Sequence, residues 1–452
     1  MTFSVVVLAA GKGTRMKSVL PKVLHPIGGE PMVQRIINTA ESLEASAVHL
    51  IYGHGAEQLK ASLHGKAINW CLQAEQLGTG HAVMQAVEHI NDNEDVMILV
   101  GDAPLIKAAT LQRLMETKAH SDLALLTVNL DDPTGMGRII REDNNIVAIV
   151  EHKDATEAQR AITEINTGMM MMAGSDLKRW LNALTNQNAQ GEYYLTDVIA
   201  MAAAEGKTIQ AAQPDSPVEV EGINNRVQLA RLERTLQRWQ AEELMMNGVT
   251  LADPERVDIR GSISTGQDVY IDINTVIKGK VTLGNNVHIG PNCILIDCDI
   301  ADNAVIEANS IIEQASVGQH CSVGPYARLR PGTVMENKAK VGNFVEVKKA
   351  RLGEGAKANH LTYLGDADIG ANSNIGAGTI TCNYDGVNKS KTLIGENAFI
   401  GSNSALVAPV EIGDGATVAA GSIITGKVPD EALAVARSKQ RNIAGWQRPA
   451  KK

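Results

Sequence analysis

The chain has 452 residues, a formal net charge of −9 and 44% hydrophobic residues, of which few are aromatic. That length implies two or three domains with aliphatic cores. The acidic balance argues against nucleic-acid or anionic-membrane partners, which need a basic surface. The five cysteines are scattered with no C-x-x-C pair. Neither a zinc site nor a disulfide framework is therefore expected, and a reducing cytoplasm is. The N-terminus lacks a basic region followed by a long apolar core, and no stretch is apolar enough to span a bilayer, so neither a signal peptide nor a membrane segment is expected.

Ser4–Ala10 is a continuous apolar run closed by Gly11 and reads as a buried strand. Similar runs follow at Ala47–Tyr52, Val96–Val100 and Leu123–Val128. Between them lie helical patterns at Met32–Leu43, Thr79–Ile90 and Ala108–His120. This alternation predicts a mainly parallel sheet with helices on its faces. Ligands of such sheets bind beyond the carboxyl ends of the strands.

After the first strand comes Leu8-Ala9-Ala10-Gly11-Lys12-Gly13-Thr14-Arg15-Met16, then Leu20-Pro21-Lys22. Glycines let backbone N–H groups approach phosphate oxygens, and Arg15 and Lys22 add cationic donors. Met16 breaks the dinucleotide fingerprint, and no Walker A loop is present. After Val100 comes Gly101-Asp102-Ala103-Pro104, a carboxylate at a strand end that suits Mg²⁺. Alone, the Gly-rich loop reads equally as a tight turn with solvated charges, and an isolated Asp102 reads as the cap of the next turn.

Together these motifs resemble the sugar-1-phosphate nucleotidyltransferase family. The likeness continues through Gln73, Gly78-Thr79, Gly137, Glu151, Asn166 and Asn224, and departs at Val100, where many relatives have Tyr. The resemblance implies that Leu8–Gly11, Lys22, Gln73, Gly78, Thr79 and Val100–Asp102 hold UTP. It also implies that Gly137, Glu151 and Asn166 hold the sugar, and that Asp102 and Asn224 bind Mg²⁺.

Asn225–Asn247 carries apolar residues at helical spacing and stops at Gly248, which predicts a connecting helix. Domain limits are expected at 1–226, 227–248 and 249–452. Beyond it an aliphatic residue recurs every sixth position, most regularly at Ile394, Ile400, Leu406, Ile412, Val418 and Ile424. A stack of short parallel strands produces that period, and an α-helix does not. Steps of five at Leu295→Ile300, Ile312→Val317, Val347→Leu352 and Leu364→Ile369 give turns of 17 and 18 residues, or three faces per coil. The pattern resembles the hexapeptide repeat of left-handed parallel β-helices, and that likeness implies a homotrimer. Between Ile375 and Ile394 the ladder is interrupted, which predicts a loop thrown out of the coil.

Arg328–Lys357 holds eight Lys/Arg against three Glu, a basic patch in an acidic chain. It flanks Asn359-His360-Leu361-Thr362-Tyr363. A solvated face accounts for most such runs. With the following GANSNIGAGTITCNYDG, however, the stretch resembles hexapeptide-repeat acetyltransferases. There a histidine takes the proton of an attacking amine.

Taken over its whole length, the chain resembles the bifunctional bacterial N-acetylglucosamine-1-phosphate uridyltransferase/glucosamine-1-phosphate acetyltransferase family. This implies an α/β N-terminal unit of Rossmann type, a long helix and a C-terminal β-helix, with small-molecule substrates only. His360 is then the base, with Lys22 and Arg15 acting on the phosphates. Arg330, Lys348, Tyr363 and Asn374 hold glucosamine-1-phosphate. Ala377, Asn383, Tyr384, Ser402, Ala420 and Arg437 hold acetyl-CoA. Ser402 is a candidate oxyanion donor, and Glu346 a candidate to orient His360. The other expectation weighed is a monofunctional nucleotidyltransferase whose coil serves regulation or assembly.

Overall fold

The computed structural model of the chain describes residues 2–53 and 55–451. The chain forms two compact units, Met1–Leu236 and Gln237–Lys452.

The first unit is built on a twisted sheet. Its strands are β1 (Phe3–Leu8), β2 (Ala47–Tyr52), β3 (Ile68–Leu72), β4 (Asp95–Val100), β5 (Leu123–Asn129), β6 (Arg138–Glu142), β7 (Asn145–Val150), β8 (Glu164–Ala173) and β9 (Ile209–Ala212). The order is β9-β5-β8-β4-β1-β2-β3, with the β6–β7 hairpin attached through β8. All pairs along this path are parallel except those of β8, which runs antiparallel to β4 and β5. The apolar runs are continuous because both faces are covered: Val5, Val7, Met97 and Leu99 enter one core layer, and Val6, Ile98 and Leu125 the other.

One expectation needs correction in this unit. The pattern from Thr79 to Ile90 is not one helix, for an α-helix at Thr79–Met84 gives way to a 3-10 turn at Val87–His89. Gly80 and the β-branched Val83 and Val87 lower its helix propensity. The β6–β7 hairpin and the reversed β8 also lie outside the simple strand–helix alternation.

The connecting helix spans Arg226–Met246, and the division between the units falls within it. Its first half buries Leu232 and Leu236, while Ala241 and Leu244 belong to the core of the second unit. Gln237 is buried and pairs its amide with Ile259, donating to the carbonyl at 2.8 Å and accepting from the N–H at 2.6 Å.

The second unit is a parallel β-helix. One face is a ladder of two-residue strands such as His288–Ile289, Val305–Ile306 and Ser322–Val323, and the other two faces interleave in a second ladder. Most register partners are 17 or 18 residues apart, as at Ile294↔Ile311 and Arg328↔Glu346, rising to 25 across the excursion at Asn374↔Phe399 and falling to 16 at Thr417↔Leu433. The aliphatic rungs point inward: Ile394, Ile400, Leu406, Ile412, Val418 and Ile424 are all buried. Each contributes about 1.5–3 kcal/mol of burial. Asn292, Asn309 and Asn403 turn corners with positive φ, a conformation that asparagine tolerates.

The interruption after Ile375 is shorter than the aliphatic ladder implies. Thr381 occupies the missing rung, fully buried, accepting from Gly365 N–H at 2.7 Å and donating to Gly365 O at 3.0 Å. The excursion follows the strand Ile380–Cys382 and ends at Thr392–Ile394.

Candidate functional sites

β1 and β4 are register neighbours, with Leu8 opposite Val100, and Gly101 N–H donates to Leu8 O at 2.8 Å. The two sequence motifs therefore leave the sheet side by side. They wall a cavity of about 310 Å³ lined by Leu8, Ala9, Ala10, Gly11, Lys22, Gln73, Gly78, Thr79, Val100 and Asp102. Gln76 and Glu192 also line it and were not singled out in the sequence. Gln76 donates to Ala10 O at 2.6 Å and ties the loop to the β3 end. Gly13 requires glycine: its φ is +59°, and a Cβ would come within 2.5 Å of Lys22 Cβ.

Lys22 Nζ donates to Asp102 Oδ2 at 2.5 Å and to Asn224 Oδ1 at 3.2 Å. Arg15 donates to the same Asn224 oxygen at 2.8 Å. Asp102 and Asn224 also line a second cavity of about 590 Å³ with Thr167, Val220 and Arg231. Among the described residues no cluster of three His, Cys, Asp or Glu is placed to hold a metal. Mg²⁺ needs fewer protein ligands, since one or two carboxylates plus substrate phosphates suffice. Two hard oxygens already converging on one cation fit that requirement.

Gly137, Glu151 and Asn166 form a group of their own. Gly137 O accepts from Asn166 N–H at 2.9 Å, and the Glu151 carboxyl faces Gly137. Burial pushes the Glu151 carboxyl up, a bond from the Thr196 hydroxyl at 3.2 Å opposes this, and the charges of Asp154, Asp197 and Glu192 push it further up.

In the β-helix, one corner stacks the expected residues into a column. Backbone N–H groups donate from Leu361 to Asn343 O, from Gly378 to His360 O, from Asn403 to Ala377 O and from Gly421 to Ser402 O. Arg437 closes the column by donating to Ala420 O at 2.5 Å. His360, Ala377, Ser402, Ala420 and Arg437 thus lie along one edge, far apart as they are in the chain.

The His360 ring bonds Asn343, not Glu346, with Nδ1 to Oδ1 at 3.0 Å. Glu346 is instead bonded by Arg330 at 2.6 Å. That corrects the expectation for Glu346. Asn343 is the register partner of His360, so the repeat length itself pointed to it.

Arg330, Glu346, Lys348 and Tyr363 lie on neighbouring rungs of the next face. Lys389 on the excursion loop, and then Arg330, hold the Lys348 ammonium below its usual range. Lys389 was not singled out in the sequence. Asn383 donates to Asp366 at 2.5 Å, and the exposed Tyr384 donates to Gly386 O at 2.5 Å within the loop. Asn374 stands on the other ladder, between Lys357 and Phe399.

The MobA-like NTP transferase domain family matches residues 5–191, the GMPPB C-terminal domain family residues 259–352, and the hexapeptide repeat of succinyl-transferase residues 391–426. Two solved chains each match about half of this chain weakly. One, from Bacillus anthracis and assigned as a glucose-1-phosphate thymidylyltransferase, is 17% identical with a TM-score of 0.42, covering 51% of this chain and 94% of its own. The other, a nucleotidyl transferase from Methanothermobacter thermautotroptrophicus, is 18% identical with a TM-score of 0.39, covering 53% and 99%. The bifunctional protein GlmU of Pseudoalteromonas atlantica is 69% identical over 451 residues, the full length of both chains. With a nucleotidyltransferase domain at one end and hexapeptide coils at the other, this chain belongs to the GlmU family of bifunctional nucleotidyltransferase–acetyltransferase enzymes.

Proposed function

We propose that the β-helix unit transfers the acetyl group of acetyl-CoA to the amine of glucosamine-1-phosphate, and that the N-terminal unit then couples the product with UTP. The final products are UDP-N-acetylglucosamine and pyrophosphate. The observation that carries this reading is the corner column. It aligns a histidine with a free ring nitrogen, a hydroxyl at Ser402 and a cation at Arg437.

With Nδ1–H donated to Asn343 Oδ1, the lone pair of a neutral His360 is on Nε2. The substrate amine attacks the thioester carbonyl and loses a proton to Nε2. The carbonyl oxygen becomes an oxyanion, which accepts a hydrogen bond from the Ser402 hydroxyl. The C–S bond then breaks, and the thiolate takes the proton from His360. Arg330, Lys348 and Lys389 crowd positive charge at one place, which a sugar phosphate relieves. Tyr363, Asn374, Asn383, Tyr384, Ala377 and Ala420 line the rest of the reading.

In the N-terminal unit, the sugar phosphate oxygen attacks the α-phosphorus of UTP, and pyrophosphate leaves. The nucleophile is already an anion, so no base is required. Gly11 and its loop cradle phosphates, Gln73 and Gly78-Thr79 border the nucleotide, and Lys22 and Arg15 offset developing charge. Asp102 and Asn224 would hold Mg²⁺, which when bound neutralises phosphate charge. Gly137, Glu151 and Asn166 meet the sugar.

A homotrimer in the cytoplasm completes the reading. Tyr326, Phe344 and Leu361 support self-association: they are 53%, 56% and 63% exposed, and all have positive φ at corners where other coils place Asn. Such a conformation costs a bulky residue of order 1–3 kcal/mol, and contact with another copy offsets it. Five free thiols suit a reducing compartment.

The test supplies glucosamine-1-phosphate, acetyl-CoA, UTP and Mg²⁺ and follows free thiol and pyrophosphate separately. Both are expected, and thiol release alone without later pyrophosphate release would overturn the coupled sequence.

A further inference from the structure

Lys22 sits where the metal reading needs a cation. Its ammonium bonds Asp102 Oδ2 at 2.5 Å and Asn224 Oδ1 at 3.2 Å. Arg15 takes the same Asn224 oxygen at 2.8 Å. The Lys22 and Asp102 side chains are only 12% and 23% exposed, so water screens the pair little. A divalent ion held by Asp102 and Asn224 would compete with the Lys22 ammonium for the same two oxygens. Lys22 already neutralises the Asp102 carboxylate and Arg15 already occupies the Asn224 oxygen, so a metal at those two oxygens would add positive charge beside two cations.

We propose that Lys22 is the resident cation of this site. It holds Asp102 and Asn224 in place in the nucleotide-free protein, and metal enters only when triphosphate oxygens draw Lys22 away. The inference rests on the reading of Asp102 and Asn224 as metal ligands. The exchange asks for little movement. Lys22 already lines the nucleotide cavity beside Gly11, so a change of rotamer carries its ammonium from carboxylate to phosphate. Its backbone is fixed in the turn Lys22–Leu24, packed under Gly13. The incoming triphosphate supplies the negative charge that the metal requires, so metal and nucleotide bind with positive coupling.

The experiment measures Mn²⁺ binding to the full chain without nucleotide, from the free-ion resonance signal. Lys22→Met is expected to bind Mn²⁺ at least ten-fold more tightly than the unaltered chain. Lys22→Arg, which keeps the charge, is expected to bind no more tightly. Asp102→Asn is expected to abolish the gain. If Lys22→Met gains nothing while Asp102→Asn weakens binding, the exchange is overturned and the metal reading stands. If Asp102→Asn changes nothing in any background, both are overturned. Circular dichroism checks folding, and Lys22→Gln replaces Lys22→Met if the latter unfolds.

Discussion

The Nδ1 atom of His360 lies 3.0 Å from Oδ1 of Asn343, its register partner one coil away. The amide oxygen accepts the Nδ1–H hydrogen bond but, being neutral and non-basic, neither takes up the proton nor supplies a negative charge. It fixes the ring tautomer without raising the basicity of Nε2 as a carboxylate would. Asn343→Ala is expected to lower the acetyl-transfer rate about five- to ten-fold, the equivalent of one hydrogen bond of about 1 kcal/mol. Asn343→Asp is expected to move the acid limb of the pH–rate profile upward, because an adjacent anion favours imidazolium. An unmoved limb would show that Asn343 does not touch the working base.

The two chemistries should separate by mutation. His360→Ala is expected to reduce thiol release by about 10²–10⁴ while pyrophosphate release from N-acetylglucosamine-1-phosphate and UTP persists. Asp102→Ala should do the reverse, with a loss of about 10²–10³ in pyrophosphate release. Full thiol release by His360→Ala would remove His360 as the base.

Glu151 is expected to trade stability for binding. Its carboxyl is pushed up, chiefly by burial, so between its unfolded and folded pKa values the folded state binds more proton than the unfolded. Stability from this group therefore falls as pH rises through that window, and the charged form is a cost at neutral pH. Glu151→Gln should raise the unfolding temperature of the N-terminal unit at pH 7.5 by about 2–4 °C, as expected for about 1 kcal/mol in a domain of this size. The gain should shrink as pH is lowered toward the carboxylate range, and affinity for the sugar phosphate should fall. Calorimetry at several pH values checks the sign.

The apolar corner gives a prediction about assembly. Replacing Tyr326, Phe344 and Leu361 together by Asn matches the corner chemistry of Asn292 and Asn309. The isolated coil should lose no stability, because local strain is relieved. Sedimentation should show dissociation to monomers at micromolar concentration. A triple variant that stays fully associated would place the interface elsewhere.

The phosphate cluster is testable through Lys389. Lys389→Ala should raise KM for glucosamine-1-phosphate several-fold and leave KM for UTP unchanged. It should also let the Lys348 ammonium return toward its usual range, since Lys389 is the largest cause of its depression.

The period of six determined the β-helix from sequence, because each rung from Ile394 to Ile424 must be aliphatic to fill a shared interior. Strand runs likewise announced a mainly parallel sheet, since a strand buried on both faces shows itself as an unbroken apolar run. Thr381 escaped that reading, because a buried hydroxyl bonded to both backbone groups of Gly365 fills a rung without being apolar. Only the tertiary structure decided which side chains meet. Parallel register set Leu8 beside Val100 and so brought Lys22 to Asp102, 80 residues away. Coil stacking gave His360 to Asn343 and Glu346 to Arg330. Repeat length marks Asn343 as the register neighbour of His360, but that their side chains bond, and that Glu346 turns to Arg330 instead, depends on side-chain direction, which spacing does not carry.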